Sequence, residues 1–308
     1  MARDARVLLP DACRFTVRSM RSAPLRHAIG FFGMLIVAGS VALARPGAAS
    51  GSDPSSARAF ADDERVALRY AAYFGPLRLL SVVTASSVST SQYAMDVTVE
   101  TVGVVRVLFP WTEVSSSHGL VQDSGLHPLG HRAVSRFRGA SSRIELSYQP
   151  DGQIELSAEI PSSEPPRAEV PPELRRDTVD PLTATIALIR NNAAGEPCTG
   201  TWHIYDGRVR YDLRFVDQGA STVDPAHGAR YHGAAHLCEA TVEPIAGFLD
   251  SEVWDKKEET KLRYWLAPVL DGVRPIPVLL EFAASAGAVR IYLTDAQAGD
   301  GAPAPSGS

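Results

Sequence analysis

A run of alternating polar residues between Thr201 and Phe215 has the residue types and spacing best suited to chemistry. Arg208, Arg210 and Arg214 are separated by even numbers of residues, so on a β-strand they project from one face. Guanidinium groups in such a row can hold a phosphate or a carboxylate. The alternative is a solvated strand face, which is the usual setting of charged residues on a half-buried sheet. The candidate ligand or partner face consists of His203, Tyr205, Arg208, Arg210, Asp212 and Arg214.

Asp206-Gly207 predicts the turn that positions this face, because this dipeptide is typical of two-residue hairpin loops. The resulting register pairs Ile204 with Val209, Trp202 with Tyr211 and His203 with Arg210. A hydrolase acting on an envelope substrate would use His203, Arg210 and Asp212, provided that they converge in a cleft.

Other candidate chemistry is weaker. The sequence lacks G-x-S-x-G, S-x-x-K, a phosphate-binding P-loop and H-E-x-x-H. The histidine pairs are His127 with His131, next to a proline and a glycine, and His232 with His236, about 13 Å apart on a strand. We therefore expect exposed histidines and no metal site, cofactor or catalytic residue.

The N-terminus predicts export. Residues 28–44 form an uncharged apolar run preceded by arginines and ending in Ala42-Leu43-Ala44, a pattern that signal peptidases cleave. An uncleaved membrane anchor is the alternative, and membrane contact through this segment is expected only in that case. Without residues 1–44 the net charge is (30 − 6) − (35 − 2) = −9, which disfavours binding to nucleic acid. Residues 45–62 are expected to be a flexible leader and residues 296–308 a disordered tail.

Two cysteines remain after this segment, Cys198 and Cys238. In an oxidising compartment an even pair predicts a disulfide, which would close a loop of about 40 residues and stabilise by roughly 3–4 kcal/mol. The alternative is a catalytic or metal-binding thiol, although no C-x-x-C spacing is present.

The remaining pattern predicts a β-rich domain over residues 63–295. Apolar residues alternate in short segments throughout, as in strands buried on one side. In Arg143–Ile160 a three-residue loop, 150–152, pairs Tyr148 with Ile154 and Leu146 with Leu156. Residues 103–109 fit either a strand or a helix.

One helix is predicted near residues 181–190, with Asp180 as its N-cap and Pro181 at its first position. The predicted fold is a single large curved antiparallel sheet, a half-barrel or β-spiral, wrapped around this helix. The expected concave lining consists of Leu182, Ile186, Trp202, Tyr211 and Trp265, with plain core packing as the alternative.

The segments DPLTATIALIR and CTGTWHIYDGRVRYDL, then a second cysteine, PIAGF and WLAP, carry a resemblance. Together they resemble the bacterial envelope family labelled domain of unknown function 3108. The resemblance implies an exported β-rich protein, similar to β-spiral cell-envelope-integrity proteins and in outline to lipoprotein carriers with a half-open barrel. It supports pairing of Cys198 with Cys238, and it supplies no catalytic residues.

Three functions follow as hypotheses. The first is a non-enzymatic periplasmic protein that binds a lipid, a cell-wall component or a protein partner in the concavity of the sheet. A lipid or lipoprotein carrier is a variant of it. The second is the hydrolase, and the third is a purely structural role, favoured if the concavity is packed.

Overall fold

The computed structural model describes residues 64–193, 198–226, 228–249, 260–270, 274–284 and 287–299. The predicted signal, leader and most of the predicted tail lie outside these residues. The strands are β1 Glu64–Phe74, β2 Leu77–Val88, β3 Gln92–Thr101, β4 Trp111–Gln122, β5 Gly125–Phe137, β6 Ala140–Tyr148, β7 Ile154–Glu159, β8 Gly200–Tyr205, β9 Arg210–Val223, β10 Gly233–Ala246, β11 Thr260–Ala267, β12 Ile276–Ala284 and β13 Gly287–Ala298. The last strand runs past residue 295, where the predicted domain ended.

These strands form one 13-stranded antiparallel sheet in the order β7-β6-β5-β4-β3-β2-β1-β13-β12-β11-β10-β9-β8. Each half of the chain is a meander, and pairing of β1 with β13 joins the halves at the centre. The outer strands β7 and β8 are not paired with each other, so the sheet is not closed into a barrel. The predicted fold class, a mainly β curved antiparallel sheet, is confirmed.

Strand alternation determines the core. On β1 and β2 the even-numbered residues Leu68, Tyr70 and Val82 are buried, while the intervening residues are mostly half-buried or exposed. The inner faces of most strands and the central helix contribute to one large apolar cluster. A second cluster contains Ile144 and Leu146 of β6, Tyr205 of β8, and Val170, which follows β7 in the chain. The β8 end of the sheet therefore packs over the inner face of β6, as in a spiral.

Three helices complete the described part of the chain: α1 Gly103–Leu108, α2 Pro172–Arg175 and α3 Pro181–Ala193. The ambiguous segment at 103–109 is therefore helical. The α3 helix begins as predicted, because Asp180 Oδ1 accepts hydrogen bonds from the amides of Leu182 and Thr183 at 2.9 and 3.0 Å. Leu182, Ile186 and Ile189 are all buried.

One predicted hairpin register is confirmed and the other is wrong. Tyr148 pairs with Ile154 and Leu146 with Leu156, as predicted. In β8 and β9, however, Ile204 pairs with Tyr211, Trp202 with Leu213 and His203 with Asp212. The turn spans Asp206 to Val209, because Asp206 Oδ1 accepts hydrogen bonds from the amides of Arg208 and Val209, both at 2.8 Å. The register moves by an even number of residues, so each side chain keeps its predicted face.

Cys198 and Cys238 form a disulfide, with their Cα atoms 5.8 Å apart. It connects the chain just before β8 to the middle of β10, and both residues are buried. This predicted pairing is present in the structure.

Candidate functional site

Two of the three arginines on the predicted arginine face pair with carboxylates of the protein. His203 Nδ1 lies 2.7 Å from Asp212 Oδ1, and Arg210 Nη1 donates to the same oxygen at 2.5 Å. Arg208 pairs with Glu164, whereas Arg214 is exposed on β9. The guanidinium groups of Arg208 and Arg210 are therefore occupied by carboxylates of the protein itself.

Two members of that face are buried. Tyr205 is covered by β6 and by Arg175, whose guanidinium lies 5.6 Å from the ring centroid, and burial raises the pKa of Tyr205 to about 12. Arg210 Nε donates to the Leu174 carbonyl at 3.2 Å. Burial alone would raise the pKa of Asp212, but hydrogen bonds from His203 and Arg210 outweigh it and hold that pKa below its ordinary value.

His203, Arg210 and Asp212 therefore form an ion-pair row across two neighbouring strands. The contacts described for the His203 ring include no hydroxyl or thiol. This arrangement explains the three residues as mutual partners and gives no support to the hydrolase hypothesis.

The predicted concave lining is mostly core. Leu182, Ile186 and Tyr211 are almost fully buried by protein side chains, and Trp202 is half-buried. Trp265 is half-buried against the main apolar cluster, and its Nε1 donates to Ser221 Oγ at 3.0 Å. By strand parity it shares its face with the exposed Arg263 and not with the buried Tyr264.

A buried polar network fixes the start of α3 to the sheet. Asp180 Oδ2 accepts hydrogen bonds from Ser117 Oγ on β4 at 2.9 Å and from Thr183 Oγ1 at 2.6 Å. His131 Nδ1 on β5 lies 3.3 Å from Asp180 Oδ1, and Tyr93 OH on β3 is 2.7 Å from Thr183 Oγ1. The carboxylate therefore connects the helix to β4 and β5, and the Thr183 hydroxyl connects it to β3.

The pKa of Asp180 reports this environment. Burial alone would raise the pKa, but the His131 imidazole and hydrogen bonds from Thr183 outweigh burial, so the pKa of Asp180 lies below the ordinary value of 3.8.

The residues Ser117, His131 and Asp180 are of the same types as those of a serine-hydrolase triad, yet their hydrogen bonds connect them differently. Ser117 donates to the carboxylate and not to the imidazole, so no nucleophile is activated. The network anchors the helix.

Next to this anchor, the inner face of the sheet becomes polar. On β4 the inward positions after Trp111 are Glu113, Ser115 and Ser117, and the register places Glu113 beside Ser135 of β5. Ser135 in turn pairs with Ser142 of β6. Small hydroxyl side chains thus replace large apolar ones here, and unlike Thr84 and Ser86, the buried hydroxyl residues of β2, they lie beside the carboxyl group of Glu113. We call the region formed by Glu113, Ser115, Ser135, Ser142 and Asp206 the polar niche.

The β8–β9 turn covers the polar niche. Gly207 lies directly on Ile144: a Cβ added to it would be 2.3 Å from Ile144 Cγ2, and its φ of +91° is one that favours glycine. Ile144 is paired with Ala133, which is paired with Ser115. The turn therefore brings Asp206 and Arg208 over the polar strands, while Glu113, Ser135 and Asp206 remain partly exposed.

The carboxyl groups of the niche retain their protons more readily than usual. Burial raises the pKa of Glu113 above its ordinary value, the charge of Asp206 adds to the shift, and Arg208 and His131 only partly oppose it. Burial also raises the pKa of Asp206, against hydrogen bonds from the Val209 and Arg208 amides. Carboxyl groups of this kind can donate as well as accept hydrogen bonds.

Two further polar atoms point to unused hydrogen-bonding capacity near the niche. Among the described residues, the buried Tyr148 hydroxyl on β6 has no hydrogen-bond partner. Its pKa is raised well above the ordinary value, first by burial and then by the charge of Asp180. The contact described for the His131 ring uses Nδ1, which leaves Nε2 for another partner.

The sequence reasoning missed the polar niche. The even spacing of Glu113, Ser115 and Ser117 was available as a signal, but which face of β4 points inward depends on pairing with distant strands. The predicted exposure of the histidines is also wrong for His131, which is buried because β4 and β6 flank it and Asp180 faces it.

Cys198, Cys238 and His236 present their ligand atoms within 4.8 Å of one another. Both sulfurs are consumed by the disulfide, however, and His236 Nε2 lies 2.7 Å from Asp217 Oδ1. With the disulfide formed, this cluster offers no thiolate ligands.

Comparison with known proteins identifies the family of this chain. A family model described as "Protein of unknown function (DUF3108)" matches residues 69–294, which include all of β2 to β12. The chain belongs to this family. The resemblance drawn from the sequence segments is therefore confirmed. No match is found among curated proteins.

Three solved structures align over most of the DUF3108 chain, at low identity. A β-barrel-like protein of domain of unknown function DUF1849 from Brucella abortus has a TM-score of 0.44 at 11% identity, over 78% of this chain and 98% of the other. A lipoprotein candidate from Parabacteroides distasonis has a TM-score of 0.26 at 10% identity, over 75% and 94%. An exported-protein candidate with a YmcC-like fold from Bacteroides fragilis has a TM-score of 0.24 at 11% identity, over 78% and 97%. Within the described part of the chain, no helix has the length and apolar character needed to span a bilayer.

Proposed function

We propose that this DUF3108 protein is an exported, non-enzymatic envelope protein that binds the saccharide part of a cell-wall or envelope component in the polar niche. Export is supported by the signal-like N-terminus and by the disulfide, since disulfides persist in oxidising compartments. The observation that carries the binding proposal is the contrast between a filled apolar interior and a polar, partly exposed niche.

The chemistry of the niche favours a hydroxyl-rich ligand over a lipid. Serine hydroxyls, a Glu113 carboxyl with a raised pKa and a nearby Arg208 supply donors and acceptors at short range. An acyl chain would need an apolar cavity, but the candidate lining residues Leu182, Ile186 and Tyr211 are packed against the protein's own side chains. The saccharide proposal therefore takes precedence over the carrier proposal.

The experiment is calorimetric titration of the purified protein with soluble cell-wall glycan fragments, beside matched phospholipid vesicles. We expect heat of binding with the glycan fragments, and recovery of intact fragments by mass spectrometry. Glu113→Gln should weaken binding, because it changes the hydrogen-bonding capacity of the niche. The matched control is Glu145→Gln on the outer face of β6, where Glu145 pairs with Arg132 at 3.2 Å.

Three outcomes would contradict the proposal. They are absence of binding to any glycan fragment, equal weakening by Glu113→Gln and Glu145→Gln, and cleavage of the fragments. Binding to vesicles alone would favour the carrier hypothesis instead.

A structural role is the second candidate, favoured by the close packing of the apolar interior around α3. It predicts that the niche variants change neither ligand binding nor envelope phenotype, while variants of the Asp180 network change both stability and phenotype.

A further inference from the structure

The short helix α1 exposes several large apolar side chains. In α1, Val104, Val107 and Leu108 are 58, 80 and 56% exposed, and only Val105 of this helix is buried. The amide of Val102, which precedes the helix, donates to the Leu79 carbonyl at 3.0 Å, so α1 is held beside the start of β2. Leu77, at that start, is also exposed.

Arginines surround these side chains. Arg78 and Arg106 are exposed next to Leu77 and Val107. Arg138, on the β5–β6 turn, donates from Nη2 to the Leu108 carbonyl at 2.8 Å and lies 5.5 Å from the centroid of Phe109. The rim patch is defined by Leu77, Arg78, Val104, Arg106, Val107, Leu108 and Arg138.

The charge of the rim patch is predominantly positive. Glu100 pairs with Arg106 at 3.1 Å, whereas Arg78 and Arg138 have no carboxylate among the partners described for them. Exposed apolar side chains ringed by guanidinium groups match the interface of a bilayer that contains anionic lipid.

We propose that the rim patch docks onto the surface of an anionic phospholipid bilayer, with Val104, Val107 and Leu108 entering the interface and the arginines contacting lipid phosphates. The docking does not depend on the function proposed for the polar niche. It is also separate from the apolar N-terminal run, because the patch is a feature of the folded sheet.

The test is a site-resolved fluorescence measurement on the full chain reconstituted in vesicles. Cys13→Ser leaves Cys198 and Cys238, which are joined in oxidising buffer, so an added cysteine is the only reactive thiol. Labelling the Val107→Cys variant with the fluorophore NBD places the probe in the rim patch. Val216→Cys places the same probe on β9, where the native side chain is 46% exposed and lies far from α1 in the sheet order.

With phosphatidylglycerol in phosphatidylcholine vesicles, NBD at position 107 should shift to shorter wavelength, and NBD at position 216 should not. Arg78→Ala should weaken the docking equilibrium about five- to sixfold, since an arginine near an anionic surface contributes roughly that factor. An unchanged emission at position 107 would overturn docking. An equal shift at both positions, or an equal shift in pure phosphatidylcholine, would overturn recognition of anionic lipid by this patch.

Discussion

Replacing Asp180 by alanine should be among the most damaging single substitutions in the described part of the chain. The side chain accepts hydrogen bonds from two backbone amides and two hydroxyls and faces His131. Loss of an N-cap costs about 1 kcal/mol, and each buried donor left without its acceptor, here the Ser117 and Thr183 hydroxyls, costs about 1–3 kcal/mol. The two effects overlap, so we expect a total of about 3–5 kcal/mol.

The assay is urea unfolding followed by circular dichroism, with Glu100→Ala as the matched control. Glu100 also pairs with a basic residue, Arg106, but both side chains are substantially exposed, at 39 and 61%. An exposed pair contributes about 0.2–1 kcal/mol. If Asp180→Ala costs no more than Glu100→Ala, the network does not anchor the helix and the reasoning fails.

The pH dependence of the free energy of unfolding provides a second test of the role of Asp180. Because the folded-state pKa of Asp180 lies below its ordinary value, the folded protein binds this proton less tightly than the unfolded chain. The stabilisation is complete above the unfolded pKa near 3.8 and is lost as the pH falls through the folded-state pKa. Asp180→Asn, which keeps an oxygen for the N-cap, should therefore differ from wild type at neutral pH and converge with it in strong acid.

Three other predictions test the remaining parts of the structure. Cys198→Ser should destabilise by roughly 3–4 kcal/mol in oxidising buffer and be neutral under reductant, measured by thermal unfolding in both; equal effects would argue against the bridge. Gly207→Ala should lower the free energy of unfolding by about 1–3 kcal/mol more than Gly139→Ala. The backbone φ is similar at the two positions, +91 and +85°, but of these two only Gly207 would bring its new Cβ against a neighbour, Ile144. Equal losses of stability in urea unfolding would contradict this packing. Since the pKa of Glu113 is raised, its ionisation costs stability as pH rises through the folded pKa. Glu113→Gln should therefore raise the melting temperature at neutral pH and lose that effect below the ordinary pKa, and a gain confined to acid pH would refute the shift.

The sequence predicted the fold well wherever strand parity carried the information. In the β6–β7 hairpin only an odd-length loop keeps Leu146 and Leu156 on one face, so the register could be deduced. In the β8–β9 hairpin two registers keep the same faces, and alternation cannot distinguish them. The side chain of Asp206 decides between them by bonding two amides of a longer turn.

The candidate site could not be deduced in the same way. Ser117, His131 and Asp180 are distant in sequence, and each is ordinary in its own segment. They meet because β4 pairs with β5 in a register that places Ser117 beside His131, and because the N-terminus of α3 lies over both strands. Parity alone places Trp265 on the face that carries the exposed Arg263.

The distribution of polar and apolar residues on the inner face limits what this fold can do. The β1–β3 and β9–β13 regions contribute most of the main apolar cluster, whereas β4 to β6 present the hydroxyls of Ser115, Ser135 and Ser142 and the carboxyl of Glu113 on the inner face. Trp111, at the start of β4, lies in the chain between α1 and the polar niche: its amide donates to Thr101 Oγ1 at 3.0 Å, and its Nε1 donates to Ser135 Oγ at 2.8 Å. The short α1 helix therefore ends where the polar niche begins. A membrane that received the rim patch would lie beside the residues best suited to bind a saccharide, which is the arrangement that recognition of an envelope component at its own surface requires.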